Sequence, residues 1–306
     1  MRKNFFLVAA ISLVFVACNK DGDIVLDNED QENNTPEPSP ENPSSKTGYS
    51  VIEYTPAPGQ FINDATIGFN DITSPEEACE KAMERLENNL FVSLGGWGGY
   101  IIVKFDKSVT NSGGYDFSIG SNTFDTSNEP GIVWVMEDSN KNGKADDTWY
   151  ELKGSFFGQE GYERNYWVTY TRPEPKKDTP WIDSNGETGV VAYVAPFHSQ
   201  DYYYPDWILT DSFTYYGSRL PLRALQDEIT GQWQNPPFEW GYVDNSGADF
   251  SKENSRNYFK ISDAVTSENL PADLKEIDFV KVQTAINGSA GILGENSTEV
   301  TGFFIE

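Results

Sequence analysis

The chain has 306 residues, with 22 basic side chains against 48 acidic ones and a formal charge of -26. That balance excludes nucleic acid and an anionic membrane surface as partners, and it suits a chain kept soluble in a crowded extracellular setting. There are two cysteines and a single histidine, His198, so a multi-histidine metal site is excluded.

The first segment reads as an export signal. Arg2 and Lys3 supply a positive start, Phe5 to Val16 form an apolar run too short to span a bilayer, and Ala17 is small enough for cleavage. Residues 1–17 are therefore expected to be removed, leaving Cys18 as the first mature residue and the attachment point for lipid. Phe15 stands where a lipobox usually carries Leu, and an ordinary signal peptide with a free cysteine is the plainer alternative. With Cys18 so used, no structural disulfide is available to the folded part. Residues 18–48 are acidic and rich in Asn, Pro and Ser, with Pro36, Pro38, Pro40 and Pro43 spaced against helix and strand alike. They read as a stalk, extended at about 3.1 Å per residue in the Pro-rich part. Lys20, Asp21 and Asp23 resemble the charged surface-export tag of Bacteroidetes lipoproteins, and Asn19 is not the aspartate that retains such proteins in the inner membrane. The resemblance implies the outer face of the outer membrane.

Residues 49–306 read as one β domain with an aromatic-rich insertion around 195–258. Ser74, Pro75 and Glu77 form a capping box, and Ala78, Cys79, Ala82, Met83 and Leu86 follow at helical spacing until Asn88 and Asn89 stop the helix. Its apolar face calls for a sheet to pack on, with Cys79 a small buried residue rather than a nucleophile. Next comes Ser93-Leu94-Gly95-Gly96-Trp97-Gly98-Gly99-Tyr100, where four glycines flank one indole. They allow a tight turn or a backbone-lined ligand contact at Trp97. A phosphate loop is a poor alternative, since no G-K-[ST] follows and the next element reads as a strand. Short strands are expected at Tyr100 to Phe105, Gly131 to Met136, Trp167 to Thr171, Gly189 to Val194, Ile277 to Val282 and Val300 to Ile305. Separated by Gly, Asn, Asp and Pro clusters, they indicate an antiparallel β-sandwich rather than a βαβ fold.

Two segments carry chemistry. Asp138, Asn140, Asn142, Gly143, Lys144, Asp146 and Asp147 fall as D-x-N-x-N-G-x-x-D-D, the first half of an EF-hand-type loop. Alternate oxygens converge when the chain curls, and the Lys144 carbonyl adds another, so a structural Ca2+ is expected there. Trp149 replaces the glutamate of position 12, leaving Asp146 or Asp147 to complete the shell, and a solvated hairpin would choose the same residue types. Later, Tyr202, Tyr203, Tyr204, Trp207, Tyr215, Tyr216, Trp233, Phe238, Trp240 and Tyr242 crowd a stretch broken by Pro, Gly and Asp. Flat rings with polar edges suit a ligand, and with Trp97 the expected contacts are Tyr202, Tyr203, Tyr204, Trp207, Trp233 and Trp240; half or more of the rings in this stretch would equally serve a core, with at least one of Tyr202 to Tyr204 pointing inward.

The glycine segment, together with Tyr115-Asp116-Phe117, Glu129-Pro130-Gly131 and the late pair Ile277 to Val282 and Glu295 to Val300, resembles the discoidin-like, galactose-binding jelly roll. With His198-Ser199-Gln200-Asp201-Tyr202-Tyr203-Tyr204-Pro205, the chain is similar to a group of Bacteroidetes cell-surface lipoproteins loosely tied to outer-membrane cobamide uptake. The resemblance implies a jelly roll and capture of a cobamide (vitamin B12 class) for a TonB-dependent transporter. Fold does not fix ligand, and a glycan suits the same rings. His198 offers one possible triad base, but no G-x-S-x-G elbow appears and no lysine or cysteine has an activating partner in view. A carboxylate pair for glycoside hydrolysis is invisible at this level. The sequence therefore favours a binder, cobamide narrowly ahead of carbohydrate, over a structural or adhesive surface protein or a glycan-active enzyme.

Overall fold

In a computed structural model the described residues are 46–195, 197–226, 228–289 and 294–306. All belong to the second of two units, residues 43–306, so the leader, Cys18 and the stalk up to residue 45 lie outside the described residues. Among them no helix is long and apolar enough to cross a membrane.

Two antiparallel sheets make the sandwich. The larger joins β1 (Tyr49–Thr55), β3 (Tyr100–Thr110), β16 (Glu276–Thr284), β5 (Gly131–Met136), β6 (Tyr150–Leu152) and β15 (Ala264–Val265), in that order. The second orders β13 (Phe250–Ser251), β14 (Arg256–Phe259), β4 (Phe117–Ser121), β17 (Glu299–Ile305) and β2 (Val92–Ser93). Their facing sides supply one core: Val103, Val280 and Val133 stand buried on one sheet and Ile119 and Phe303 on the other. Tyr49 meets Phe303 edge-on at 5.3 Å, and Phe105 meets Phe117 at 6.5 Å across the gap. Each such side chain, wholly removed from water, contributes roughly 1.5–3 kcal/mol. The outer face of the larger sheet has a smaller cluster of Ile102, Met136 and Phe279, covered by Ala145 and Trp149 from the acidic loop. Trp149 is thus spent on packing at the position where a calcium loop would place its glutamate.

The helix α1 (Pro75–Glu87) forms because its start and stop are both written locally. Ser74 Oγ accepts from the Glu77 N–H at 3.2 Å, Pro75 opens the first turn, and Asn88 ends it. The Glu77 carboxylate reaches one residue further back than a standard capping box, taking the Thr73 N–H at 2.8 Å. Ala78, Ala82 and Leu86 are buried in the main core. Cys79 is partly buried beside it, and burial pushes its thiol up to about 11, so a thiolate nucleophile is not on offer at neutral pH.

A third layer differs from expectation. The strands expected near Trp167 and Gly189 do not join the sandwich: β7 (Glu163–Thr171), β8 (Thr179–Asp183) and β9 (Thr188–Val191) pair among themselves and with β10 (Ser212–Arg219). The addition to the sandwich therefore begins at Glu163 rather than near 195, and ends in a ribbon of β11 (Leu225–Gln226) and β12 (Trp233–Gln234), while Phe250–Ser251 already belongs to the second sheet. This layer is fastened by the glycine turn. Gly95 has φ +66°, and a Cβ there would sit 1.9 Å from the Ala57 carbonyl oxygen, while Trp97 plants its ring edge-on at 4.7 Å from Tyr166.

Candidate functional site

The aromatic residues singled out in the sequence divide into two sets. Trp97, Tyr203, Tyr204 and Trp207 are at most 3% exposed and belong to the main core. This corrects the expectation of four open ligand faces. The physical reason is plain at Tyr203 and Tyr204, which lie in a turn rather than a strand, so consecutive rings need not alternate in and out. Asn63 Nδ2 pins the Tyr202 and Tyr204 carbonyls at 3.0 and 2.9 Å, and each buried phenol finds a carbonyl, Tyr203 that of His198 and Tyr204 that of Thr210. Tyr202 is partly buried, with the Arg172 guanidinium 5.4 Å from its ring centre. Trp233 is partly buried on the β12 ribbon.

Of the ligand contacts expected from the sequence, Trp240 is the one that is exposed beside a cleft; Tyr216, from the same aromatic stretch, is also exposed and lines a separate cavity with Trp134 and Trp149. Trp240 is 37% exposed and borders a cavity of about 300 Å³ with Tyr115, Tyr258, Asp249, Lys260 and Asp263, over a floor that includes Leu152 and Phe259. Local structure fixes it: the Trp240 N–H donates to Ser155 Oγ at 3.2 Å, and its carbonyl accepts from the Ser155 N–H at 2.9 Å. Gly241 then turns at φ +90°, where a Cβ would lie 2.4 Å from Gly154 Cα. On the opposite wall Tyr115 and Tyr258 pair at 5.6 Å, with the Lys260 ammonium 5.1 Å from the Tyr115 ring centre. Beneath them Asp249 is 7% exposed; its Oδ2 accepts from the Gly241 N–H at 2.7 Å, while its Oδ1 is buried without a partner. Burial pushes this carboxyl up to about 6, against the opposing pull of the Gly241 N–H and the neighbouring Asn257. Burial also raises Asp263, with Lys260 and Lys153 pulling the other way. The cleft thus combines open rings, a cation and a carboxyl that changes charge in mildly acid solution. Trp240 was visible in the sequence; Tyr115 was visible only as part of a motif, and Asp249 had no signal.

The acidic loop is exposed and organised by its own side chains. Asp138 accepts from the Asn142 and Gly143 N–H groups at 3.0 and 2.8 Å, Asn140 Oδ1 from the Asn142 N–H at 2.9 Å, and Asn142 Oδ1 from the Lys144 N–H at 2.8 Å. The Asn140 and Asn142 amides both reach the Asp146 carboxylate. Asp147 is partly buried, its Oδ2 without a partner, and Lys104 Nζ donates to the Gly143 carbonyl at 3.3 Å.

Other acid-base candidates are committed elsewhere. His198 Nδ1 lies 2.7 Å from Asp64 Oδ2, and its ring packs edge-on against Phe61 at 4.9 Å. Although burial pushes the Asp64 carboxyl up, hydrogen bonds from Thr66 and His198 bring it below the usual carboxylate range. A tighter convergence of acids lies elsewhere, and no metal-ligand spacing in the sequence announces it: Glu129, Asp244 and Glu299 bring one oxygen each to within 4.8 Å of the others. Burial first, then repulsion from acidic neighbours, pushes Glu129 and Asp244 well above the carboxylate range, and burial takes Glu299 to about 7. No protein-family model matches the chain, and no curated protein matches it either.

Proposed function

We propose that this chain is a non-catalytic capture protein held at the bacterial outer surface by lipid on Cys18, taking a carbohydrate ligand in the Trp240 cleft for a TonB-dependent transporter. The observation that carries the ligand class is that Trp240, Tyr115 and Tyr258 line one cavity of about 300 Å³ together with Asp249, Lys260 and Asp263. That volume lies at the small end of ligand sites and suits one or two sugar rings better than a whole corrin with its fringe of amides. Sugar C–H faces stack on the rings, and Lys260 and Asp249 meet hydroxyls. The export signal and charged tag after Cys18 support the location.

The test is calorimetric titration of the mature protein with a glycan panel and with cyanocobalamin, followed by analysis of the recovered ligand. Trp240→Ala should cost about 2 kcal/mol, roughly thirtyfold in affinity, with the melting curve unchanged. Binding of cyanocobalamin without any glycan replaces carbohydrate by cobamide as the ligand. Shortened glycans in the recovered material would make the protein an enzyme, and undiminished binding by the variant moves the site away from this cleft.

A further inference from the structure

Glu129, Asp244 and Glu299 come from three places in the sequence and meet because the sandwich closes there. Glu129 stands two residues before β5, and its N–H donates to the Asp244 carbonyl at 3.1 Å. Gly131 and Val243 exchange hydrogen bonds at 2.9 and 3.1 Å, holding the two segments side by side. Glu299 opens β17, and its N–H donates to Asp244 Oδ2 at 2.9 Å. The remaining donors are neutral: Thr123 Oγ1 to Asp244 Oδ1 at 2.7 Å, Asn122 Nδ2 to Glu299 Oε2 at 2.8 Å, and the Ser297 N–H to Glu129 Oε1 at 3.2 Å. Asp244 is 2% and Glu299 6% exposed, and none of the ion pairs among the described residues reaches the trio.

Three carboxyl groups at this spacing, two of them buried and Glu129 half-buried, cost several kcal/mol unless a positive charge joins them. A second observation points to what joins them. The trio lines a cleft of about 400 Å³ whose wall includes Asn235, and Asn235 is 6% exposed with its amide oxygen buried and without a hydrogen-bond donor. Its backbone is fixed on both sides, the N–H donating to the Thr126 carbonyl at 2.9 Å and the carbonyl accepting from Asn128 Nδ2 at 2.7 Å. An electron-rich oxygen held rigidly and undonated in the wall of the cleft that three carboxyl groups line is a cation ligand in character. The donors are all hard oxygens, with neither imidazole nor thiolate, which selects calcium over zinc or copper. Calcium also accepts an irregular shell, and the cleft admits water to complete it.

We propose that Glu129, Asp244 and Glu299, with the Asn235 amide oxygen, bind a calcium ion that ties the start of β5, the turn at Asp244 and the start of β17 together. The site is separate from the loop at 138–147 and from the Trp240 cleft.

The experiment uses the full mature chain carrying Asp138→Ala and Asp146→Ala, so that calcium in the exposed loop does not contribute. After passage over chelating resin, calcium is titrated by calorimetry and counted by elemental analysis, with magnesium and zinc as competitors. One equivalent of calcium should bind, preferred over magnesium. Glu129→Gln, chosen because this residue is the most exposed of the three, should weaken it roughly 100-fold. Terbium should bind in place of calcium and be displaced by it, a readout that needs only the parent protein and so survives misfolding of the variant. Absence of stoichiometric calcium in the parent, or unchanged affinity in a folded Glu129→Gln protein, overturns the proposal and leaves the trio as carboxyl groups sharing protons.

Discussion

The loop at 138–147 and the trio Glu129, Asp244 and Glu299 are both acidic, yet they are built in opposite ways. In the loop the oxygens are consecutive in sequence, exposed, and already supplied with donors by the loop's own backbone, as Asp138 is by Asn142 and Gly143. In the trio they come from separate strands and turns, are largely shut from water, and share a handful of neutral donors. An exposed carboxylate loses little when its neighbours are acidic, because water and salt screen it. A buried one depends on every partner it has. The same residue type therefore decorates the surface in one region and is structural in the other.

The largest expected effect follows from that dependence. Asp244→Ala removes the acceptor of both the Thr123 hydroxyl and the buried Glu299 N–H and one of the calcium ligands, at a cost of about 4 kcal/mol in calcium-containing buffer. Asp138→Ala, in an exposed loop open to water, should cost under about 1 kcal/mol in chelator, and more only if the loop binds calcium. Urea unfolding of the two variants with and without EDTA measures both. Equal losses in all conditions would erase the contrast between the regions.

The contrast also explains what the sequence could reveal. The loop's pattern is local, so its spacing is visible without a fold; so is α1, whose cap Ser74, opening Pro75 and closing Asn88 are neighbours in the chain. β5 matches its expected limits, Gly131 to Met136, because turn residues bracket an apolar run. β3 runs on to Thr110, past the expected end at Phe105: Asp106, Lys107 and Ser108 are exposed, polar and fall in a register shift, and Val109 and Thr110 then pair again with Ile277 and Glu276 of β16. The trio depends on register: Glu299 opens a strand that pairs with Ser93, while Asp244 follows a residue bridged to Gly131. Spacing along the chain does not encode such a meeting. The aromatic residues failed to separate for a related reason, since composition gives Tyr203 and Trp240 the same weight although one is 1% and the other 37% exposed.

Asp249 sharpens the comparison, being a buried acid held chiefly by the Gly241 N–H, with no acidic neighbour among the groups that shift it. Its folded-state value, about 6, exceeds the 3.8 of a free aspartate, so folding favours the protonated form. The stability this contributes is complete below about pH 4 and lost as pH rises through 6. A rise from 3.8 to about 6 corresponds to about 3 kcal/mol. Asp249→Asn keeps an acceptor for the Gly241 N–H without the charge, so it should match wild type near pH 4 and exceed it by up to about 3 kcal/mol at pH 7.5. A constant difference between the two unfolding profiles across this range would show that burial does not control the group.

A further small effect belongs to the exposed loop and concerns its backbone. Gly143 turns at φ +75°, a region that side-chain-bearing residues enter at a cost, and a Cβ there would come 3.0 Å from the Lys104 ammonium nitrogen. The ammonium is the far end of a flexible, half-buried side chain and shifts by a few tenths of an ångström, so the backbone term dominates. Gly143→Ala should then cost about 1 kcal/mol, seen as a shift of a few degrees in the melting temperature with the unfolding slope preserved. If calcium occupies the loop, the same substitution also disturbs the curl that aims Asp138, Asn140 and Asn142 at one point, and the shift in calcium exceeds the shift in EDTA. Identical shifts in the two buffers return the loop to a hairpin whose asparagines, aspartates and glycine serve the turn alone.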